Sequence, residues 1–155
     1  MEWRFAIQET VGQNRYIPLP GPVRAAVAEE HPLDGECVYW NYEDHSKFAV
    51  LSRRPLTGSS YVDVGRYKVY DVDADGDEAR IRPPDALETV VRSGFLPEGR
   101  VTYLAHDGML GEAPAVYLLT EPQLLRLLPD ATGPDAAAAD EIAAALLRTP
   151  GFMPA

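Results

Sequence analysis

The sequence predicts a mainly β fold with short helices, in which two tandem copies of one unit are followed by a helical tail. The first observation is an internal repeat at an offset of about 64 residues. Because the matched residues are mostly apolar, glycine or proline, the repeat describes a backbone path and a core rather than a reactive group. The matches are Trp3-Arg4-Phe5 with Tyr67-Lys68-Val69, Gly12 with Gly76, Ile17 with Ile81, Pro20 with Pro84, Val27 with Val91, Gly35 with Gly99, and Tyr39 with Tyr103.

The second observation is that the first copy has the pattern strand, turn, short strand, helix and hairpin. Alternating apolar residues indicate the first strand, and a β-branched and aromatic composition indicates the hairpin. Pro18 and Pro20 limit the second strand to a sheet edge, because proline donates no backbone hydrogen bond. A proline start and alanine-rich composition indicate the helix. The ranges, in order, are 2–7, 10–14, 15–19, 22–30, and 37–42 with 48–51.

The second copy has the same order of patterns. Its strand, acidic turn, short strand, helix and hairpin are predicted at 67–72, 73–78, 80–82, 84–92, and 100–105 with 116–119. A unit of about 60 residues buries too little surface to be stable alone, whereas two copies that share a core approach an ordinary domain. We therefore expect one pseudo-symmetric domain over residues 1–120, with repeat 1 at about 1–64 and repeat 2 at about 65–120.

The tail, residues 121–155, has no counterpart in the repeat. Two helical turns are predicted at 121–128 and a longer helix at 135–147, where alanine is abundant and apolar residues fall on one stripe. Such a tail docks on its own domain, docks on a second copy, or is partly disordered. It could also bind a protein partner, since it ends in the apolar Gly151-Phe-Met153.

Composition restricts the possible partners. The net charge is −10, and two of the fourteen basic residues are lysines, which suits either a salt-in halophile or a GC-rich genome. An acidic chain binds nucleic acid only if its arginines lie together on one face. The chain has no apolar run close to a membrane span, no visible secretory signal and a single cysteine, so we expect a cytoplasmic protein.

The sequence contains no pattern typical of catalysis, a metal or a cofactor, so we predict that the protein is not an enzyme. The acidic run at 71–78 begins like a calcium loop, but Arg82 stands where that loop requires glutamate. Cys37 begins an apolar strand, which favours a small buried residue over a nucleophile. Surface positions are expected for His31, His45 and His106, and sheet or core packing for Tyr39, Trp40, Tyr42 and Tyr103.

Short motifs in both copies resemble the AbrB/MazE/SpoVT swapped-hairpin family. In copy one these are Arg15-Tyr-Ile-Pro-Leu-Pro-Gly-Pro-Val-Arg24, Leu33-Asp-Gly35 and Cys37-Val-Tyr-Trp40. In copy two they are Arg80-Ile-Arg-Pro-Pro84, Asp85-Ala-Leu87, Leu96-Pro-Glu-Gly99 and Val101-Thr-Tyr103. The resemblance implies a swapped-hairpin barrel with both units in one chain, as in MraZ-like members, although their Asp-x-x-x-Arg signature is absent.

The same resemblance implies a sequence-specific DNA-binding transcription regulator that reads double-stranded DNA with arginines. The matched residues are Arg15, Arg24, Arg80 and Arg82, and the flanks of the first hairpin add Lys47, Arg53 and Arg54 as phosphate contacts. Each arginine could instead be a surface charge paired with one of 24 acids. We expect a homodimer. The alternatives are an antitoxin or adaptor that binds a protein through residues 121–155, and, with less support, an enzyme or small-ligand binder.

Overall fold

The protein is mainly β with a few short helices. The computed structural model describes residues 3–11, 15–58, 60–72, 78–87, 99–107, 114–129, 139–152 and 154. The strands are β1 (Trp3–Val11), β2 (Ile17–Leu19), β3 (Glu29–His31), β4 (Gly35–Glu43), β5 (Phe48–Ser52), β6 (Tyr61–Lys68), β7 (Tyr70–Asp71), β8 (Ala79–Ile81), β9 (Gly99–His106) and β10 (Ala115–Thr120). The helices are α1 (Gly21–Val27), α2 (Glu121–Leu127) and α3 (Ala139–Leu147), and residues 85–87 form a further helical turn. Among the described residues, no helix has the length and apolar character needed to cross a bilayer.

The strands form a seven-stranded and a three-stranded sheet. In the large sheet the order is β1-β9-β10-β5-β4-β3, and β6 also pairs with β4. In the small sheet the order is β2-β8-β7. The first strand of each half pairs with the hairpin of the other half, since β1 pairs with β9 and β6 pairs with β4. The halves therefore interleave and cannot be separated into two folding units.

Two matched pairs of the predicted repeat can be compared in the structure. Ile17 of β2 lies opposite Ile81 of β8, its match 64 residues later. Tyr39 and Tyr103, also 64 residues apart, are not equivalent. Tyr103 is fully buried in the core, whereas the side chain of Tyr39 lies on the outer face of β4 beside Arg53 and Arg66. The side chains of a strand point alternately to its two faces. Two residues 64 apart therefore lie on equivalent faces only if the alternation has the same phase in β4 and β9.

Several elements differ from their predicted bounds. The first strand, predicted over 2–7 with a turn at 10–14, continues to Val11. The helix predicted over 22–30 ends at Val27, where Ala28 turns to an extended conformation. Glu29 then pairs with Cys37, so that tertiary pairing replaces the last predicted helical turn with β3. The strand predicted to begin at residue 67 begins at Tyr61 and crosses the expected boundary between the repeats. The acidic residues 73–77, the turn residues 12–14 and the tail residues 130–138 lie outside the described residues.

The main core lies between the large sheet, the small sheet and α1. It contains Trp40 and Tyr103 from the two hairpins, Ile17 and Ile81 from the small sheet, and Val27 from α1, all fully buried. Burying a large apolar side chain contributes about 1.5–3 kcal/mol, so this shared core is the main source of stability. The hydroxyl of Tyr103 also donates a hydrogen bond to the carbonyl of Pro18, which attaches the small sheet to β9.

The tail covers the opposite face of the large sheet. Ile142 and Leu146 of α3 pack with Val50, Tyr117 and other sheet residues in a second apolar cluster. Phe152 is buried against Phe48 and Tyr117, with ring centroids 6.3 and 5.6 Å apart. Thr120 caps α2 in a reciprocal arrangement with Gln123, whose side chain also donates to the carbonyl of Lys47. The described part of the tail is therefore packed on its own domain.

His106 is buried rather than on the surface, as the sequence had suggested. It lies at the end of β9, where its ring stacks on Tyr117 at 5.4 Å and meets the edge of Trp3 at 4.9 Å. The strand end is covered because β1 and β10 flank it on both sides. Burial lowers the pKa of His106 to about 4, since the charged imidazolium would lose its hydration.

We expect Ile81→Ala to lower the free energy of unfolding by about 2–5 kcal/mol, because it opens a cavity opposite Ile17 where β2 pairs with β8. Urea denaturation measures this change. The matched control is Val62→Ala, at a strand position that is 51% exposed, where the change should stay within about 0.5 kcal/mol. Equal effects of the two substitutions would mean that the Ile17–Ile81 contact is not a structural centre.

Stability should fall as pH drops from the unfolded-state value of 6.5 for His106 towards its folded value of about 4. In that range the unfolded state binds a proton that the buried imidazole does not, and this costs about 2 kcal/mol by pH 5. Urea denaturation at pH 7 and pH 5 tests this, with His106→Gln as the reference that removes the group. A wild-type loss no larger than that of His106→Gln would contradict the assignment.

Candidate nucleic-acid interface

Of the seven basic residues predicted from the sequence, Arg24 is fully occupied by neighbouring acids. Its Nε and Nη2 donate to the Glu36 carboxylate at 2.6 and 2.9 Å, and its Nη1 donates to Asp71 at 2.7 Å. These hydrogen bonds raise the pKa of the guanidinium above its usual value. Arg24 thus joins α1, β4 and β7 by bridging two carboxylates, which hold its guanidinium within the structure, whereas the sequence had suggested a DNA contact.

Three other predicted residues lie apart from one another or beside an acid. Lys47 is in the β4–β5 turn at a φ of 65°, with its ammonium near Asp44. Arg82 forms an ion pair with Asp85 at 3.3 Å. Arg15 is exposed just before β2. The structure therefore does not bring these three together with the remaining predicted residues.

Arg53 and Arg54 follow β5 and line a surface depression of about 350 Å³. Arg66, from β6, lines the same depression beside Tyr39. One guanidinium nitrogen of Arg53 donates to the carbonyl of Ala25 at 3.0 Å, which ties the charged end of this side chain to α1. Arg54, the next residue along the chain, is exposed. Three arginines from two parts of the chain thus share one open surface.

Side chains on the outer face of β6 and β7 extend this surface towards the small sheet. Tyr67 and Val69 pack against the core, so Arg66, Lys68 and Tyr70 lie on the outer face. The ammonium of Lys68 lies over the ring of Tyr70, 5.7 Å from its centroid.

Arg80 of β8 lies directly opposite Tyr70 in the ladder and so continues the same face. We call Arg53, Arg54, Arg66, Lys68 and Arg80 the basic track.

A β-bulge interrupts β6 just before Arg66. Trp40 pairs with Gly65, but Asn41 pairs with Asp63, so one extra residue is inserted at Val64. Gly65 has a φ of 130°, a conformation that suits glycine. The bulge shifts the phase of the alternation, so that both Val64 and Tyr67 contact the core while Arg66 and Lys68 remain outside.

Acidic residues border the basic track. Asp34 forms an ion pair with Arg66, and Arg66 also donates to His31 at 2.6 Å. Glu29 and Glu30 line the same depression as Arg53 and Arg54. Glu36 and Asp71 lie near the track as well, and both contact the single guanidinium of Arg24. The track is therefore a run of five cations bordered by acids, and counter-charges fix the position of Arg66.

A buried polar network fixes the segment that carries Arg53 and Arg54. Asn41 is fully buried on β4; its amide nitrogen donates to the Ser52 hydroxyl at 2.8 Å, and its amide oxygen accepts from the Leu56 backbone at 3.0 Å. The Ser52 hydroxyl in turn donates to the carbonyl of Arg54 at 2.5 Å. Residues 52–56 are thus attached to β4 from below, which holds the two arginines at the rim of the depression.

Cys37 lies in the floor of the same region, between the depression and a neighbouring pocket lined by Lys68 and Arg66. It is buried, and burial raises the pKa of its thiol, which favours the protonated form. Within the described ranges, no three His, Cys, Asp or Glu side chains are grouped as metal ligands.

Sequence reasoning did not single out Arg66, Lys68 and Tyr70, which share the outer face with Arg53 and Arg54. The signal was present as their spacing of two residues, which places them on one face of a strand. It was overlooked because Asp63 and Gly65 lowered the strand propensity upstream of Tyr67.

Comparison with known proteins adds no relative: no family model, no curated protein and no solved structure matches the chain. The proposal for its function therefore depends on the site itself and on the motifs quoted above.

Asn41→Ala should release residues 52–56, since it leaves the Leu56 N–H and the Ser52 hydroxyl without their buried partner. We expect a loss of about 1–3 kcal/mol in stability. Amide hydrogen exchange should also show lower protection of Leu56, while Leu104 in the central sheet serves as the internal control. An unchanged exchange rate at Leu56 would show that the network does not hold this segment.

Proposed function

We propose that this protein is a sequence-specific, double-stranded-DNA-binding transcription regulator of the swapped-hairpin type, and that the basic track is its DNA contact. The observation that carries the proposal is the convergence of five cations from three parts of the chain on one surface. The exchange of first strands between the two hairpins supports the family resemblance, because it is the connectivity that the resemblance implies.

Electrostatics make the track the most favourable face for a polyanion. The chain carries a net charge of −10, so DNA is repelled by most of the surface and can approach only where cations are clustered. Arginine and lysine side chains on such a path neutralise phosphates and release counterions, which makes binding strongly salt-dependent. Arginines that reach a groove can also contact a guanine edge with two hydrogen bonds.

The composition of the track predicts an asymmetric contact. Arg53 and Arg54 come from the first half of the chain, whereas Arg66, Lys68 and Arg80 come from the second, and the two sets occupy different places in the fold. Each chain would therefore contact one DNA half-site through two unequal sets of cations. A homodimer, which stays a prediction, would bind two such half-sites.

The antitoxin or adaptor alternative has less support from the described tail. The apolar side chains expected to bind a partner are largely packed on the chain's own sheet, as Phe152, Ile142 and Leu146 are all buried. Leu147 is half-exposed and adds one apolar group to the outer side of α3. The DNA-binding proposal is therefore the one that we develop.

To test the proposal, the purified protein is incubated with sheared genomic DNA at about 0.1 M and at multimolar KCl, and the retained fragments are sequenced. A shared motif is the expected result, and the salt at which it appears distinguishes a halophilic origin from a GC-rich one. Retention without any shared motif at both salts would overturn sequence-specific binding.

The double variants Arg53→Ala/Arg54→Ala and Arg66→Ala/Lys68→Ala should each weaken binding to the retained fragment. If each residue contacts one phosphate, the slope of log affinity against log salt should fall by about 2 for each pair. The matched control is Arg126→Ala/Arg148→Ala, which removes the same charge from exposed positions on the tail helices. An equal loss in the control would mean that net charge, not the track, determines binding.

A further inference from the structure

A cleft of about 510 Å³ lies between β1 of the large sheet and the small sheet. Its size is within the usual range of small-molecule sites. The walls are mostly apolar and are formed by Ile7, Pro18, Leu19, Pro20, Pro22 and Ala79. Four of these belong to the proline-rich segment 18–22, which is rigid because proline fixes its backbone angle. The cleft is therefore built on a stiff wall rather than on a mobile loop.

Three charged side chains also line the cleft, namely Glu9, Glu78 and Arg80. Among the residues that the structure describes, none of these three has an ion pair or a side-chain hydrogen bond, unlike Arg24 and Arg66 nearby. Glu9 lies close enough to the buried Tyr103 for its charge to add to the effect of burial, and both raise the pKa of the phenol. The carboxylate of Glu9 is thus near the hydroxyl that attaches β9 to Pro18.

We propose that this cleft binds a free amino acid with a cationic aliphatic side chain. The charges of ligand and cleft are complementary. The two ammonium groups of such an amino acid match the carboxylates of Glu9 and Glu78, and its carboxylate matches the guanidinium of Arg80. The methylene chain between them packs on the proline wall. A ligand with only one of these features would leave a charged side chain of the cleft desolvated without a partner, which is costly.

Arg80 gives this site a regulatory consequence, which rests on the proposed DNA-binding function. The same guanidinium belongs to the basic track, so a ligand carboxylate that engages it competes with phosphate. Linkage requires the effect to be reciprocal: the amino acid weakens DNA binding by the same factor by which DNA weakens amino-acid binding.

Binding is tested on the full chain without DNA, by isothermal titration with three probes. L-lysine carries all three charged groups, L-norleucine lacks the side-chain ammonium, and cadaverine lacks the carboxylate. We expect L-lysine to bind most tightly, and each analogue to bind at least about tenfold more weakly, since each leaves a charge unpaired. No binding at about 10 mM L-lysine, or equal binding of norleucine, would overturn the proposal.

Variants identify which residue matches which group. Arg80→Gln should make L-lysine and cadaverine bind equally, and either Glu9→Gln or Glu78→Gln should remove the difference between L-lysine and norleucine. The control is Arg126→Ala/Arg148→Ala, which should leave all three affinities unchanged, and circular dichroism confirms that each variant is folded. If the affinities for L-lysine and cadaverine still differed in folded Arg80→Gln, Arg80 would not be the partner of the ligand carboxylate, and the proposal would be overturned.

The two proposals fail separately. Because the titration contains no DNA, loss of DNA binding as a function would leave the lysine affinities and the variant pattern as they are. Conversely, DNA retention with no amino-acid binding would sustain the regulator and remove the ligand site.

Discussion

The exchange of strands between the two halves is the constraint on which the rest of the structure depends. β1 completes the second hairpin and β6 completes the first, so neither half has a finished sheet without the other. Ile17 and Ile81 then meet in the small sheet, and the main core fills the space between the sheets. Because the strands cross between halves, the positions of Arg53–Arg54 and of Arg66 relative to each other are set by the fold as a whole.

Charge placement matters more here than charge number. The chain has ten more acids than bases, yet two of the acids nearest to the basic track are bound by a single arginine, Arg24, at 2.6–2.9 Å. This guanidinium was expected to touch DNA. Its position shows instead that one cation is used inside the structure to hold two of the acids that border the track.

Sequence reasoning predicted the mainly β class with short helices, because periodicity, proline and turn residues are local signals. It could not predict that Glu29–Glu30 would leave the helix, since their pairing with β4 is a tertiary contact. It also missed the burial of His106, which depends on two strands that come from distant parts of the chain. Nor could it separate Arg24 from Arg53, because whether an arginine is free depends on acids such as Glu36 and Asp71 that only the fold brings near.

The single-residue bulge at Val64 has an evolutionary consequence. Val64 is the extra residue of the bulge, since Gly65 lies opposite Trp40 while Asp63 lies opposite Asn41. Deletion of Val64 alone would therefore keep every described β4–β6 pair and leave Arg66 and Lys68 on the outer face. Loss of a second residue here would invert one side of the strand, because side chains alternate with a period of two. Descendants of this chain can therefore lose one residue before Arg66 without moving the basic track, but not two.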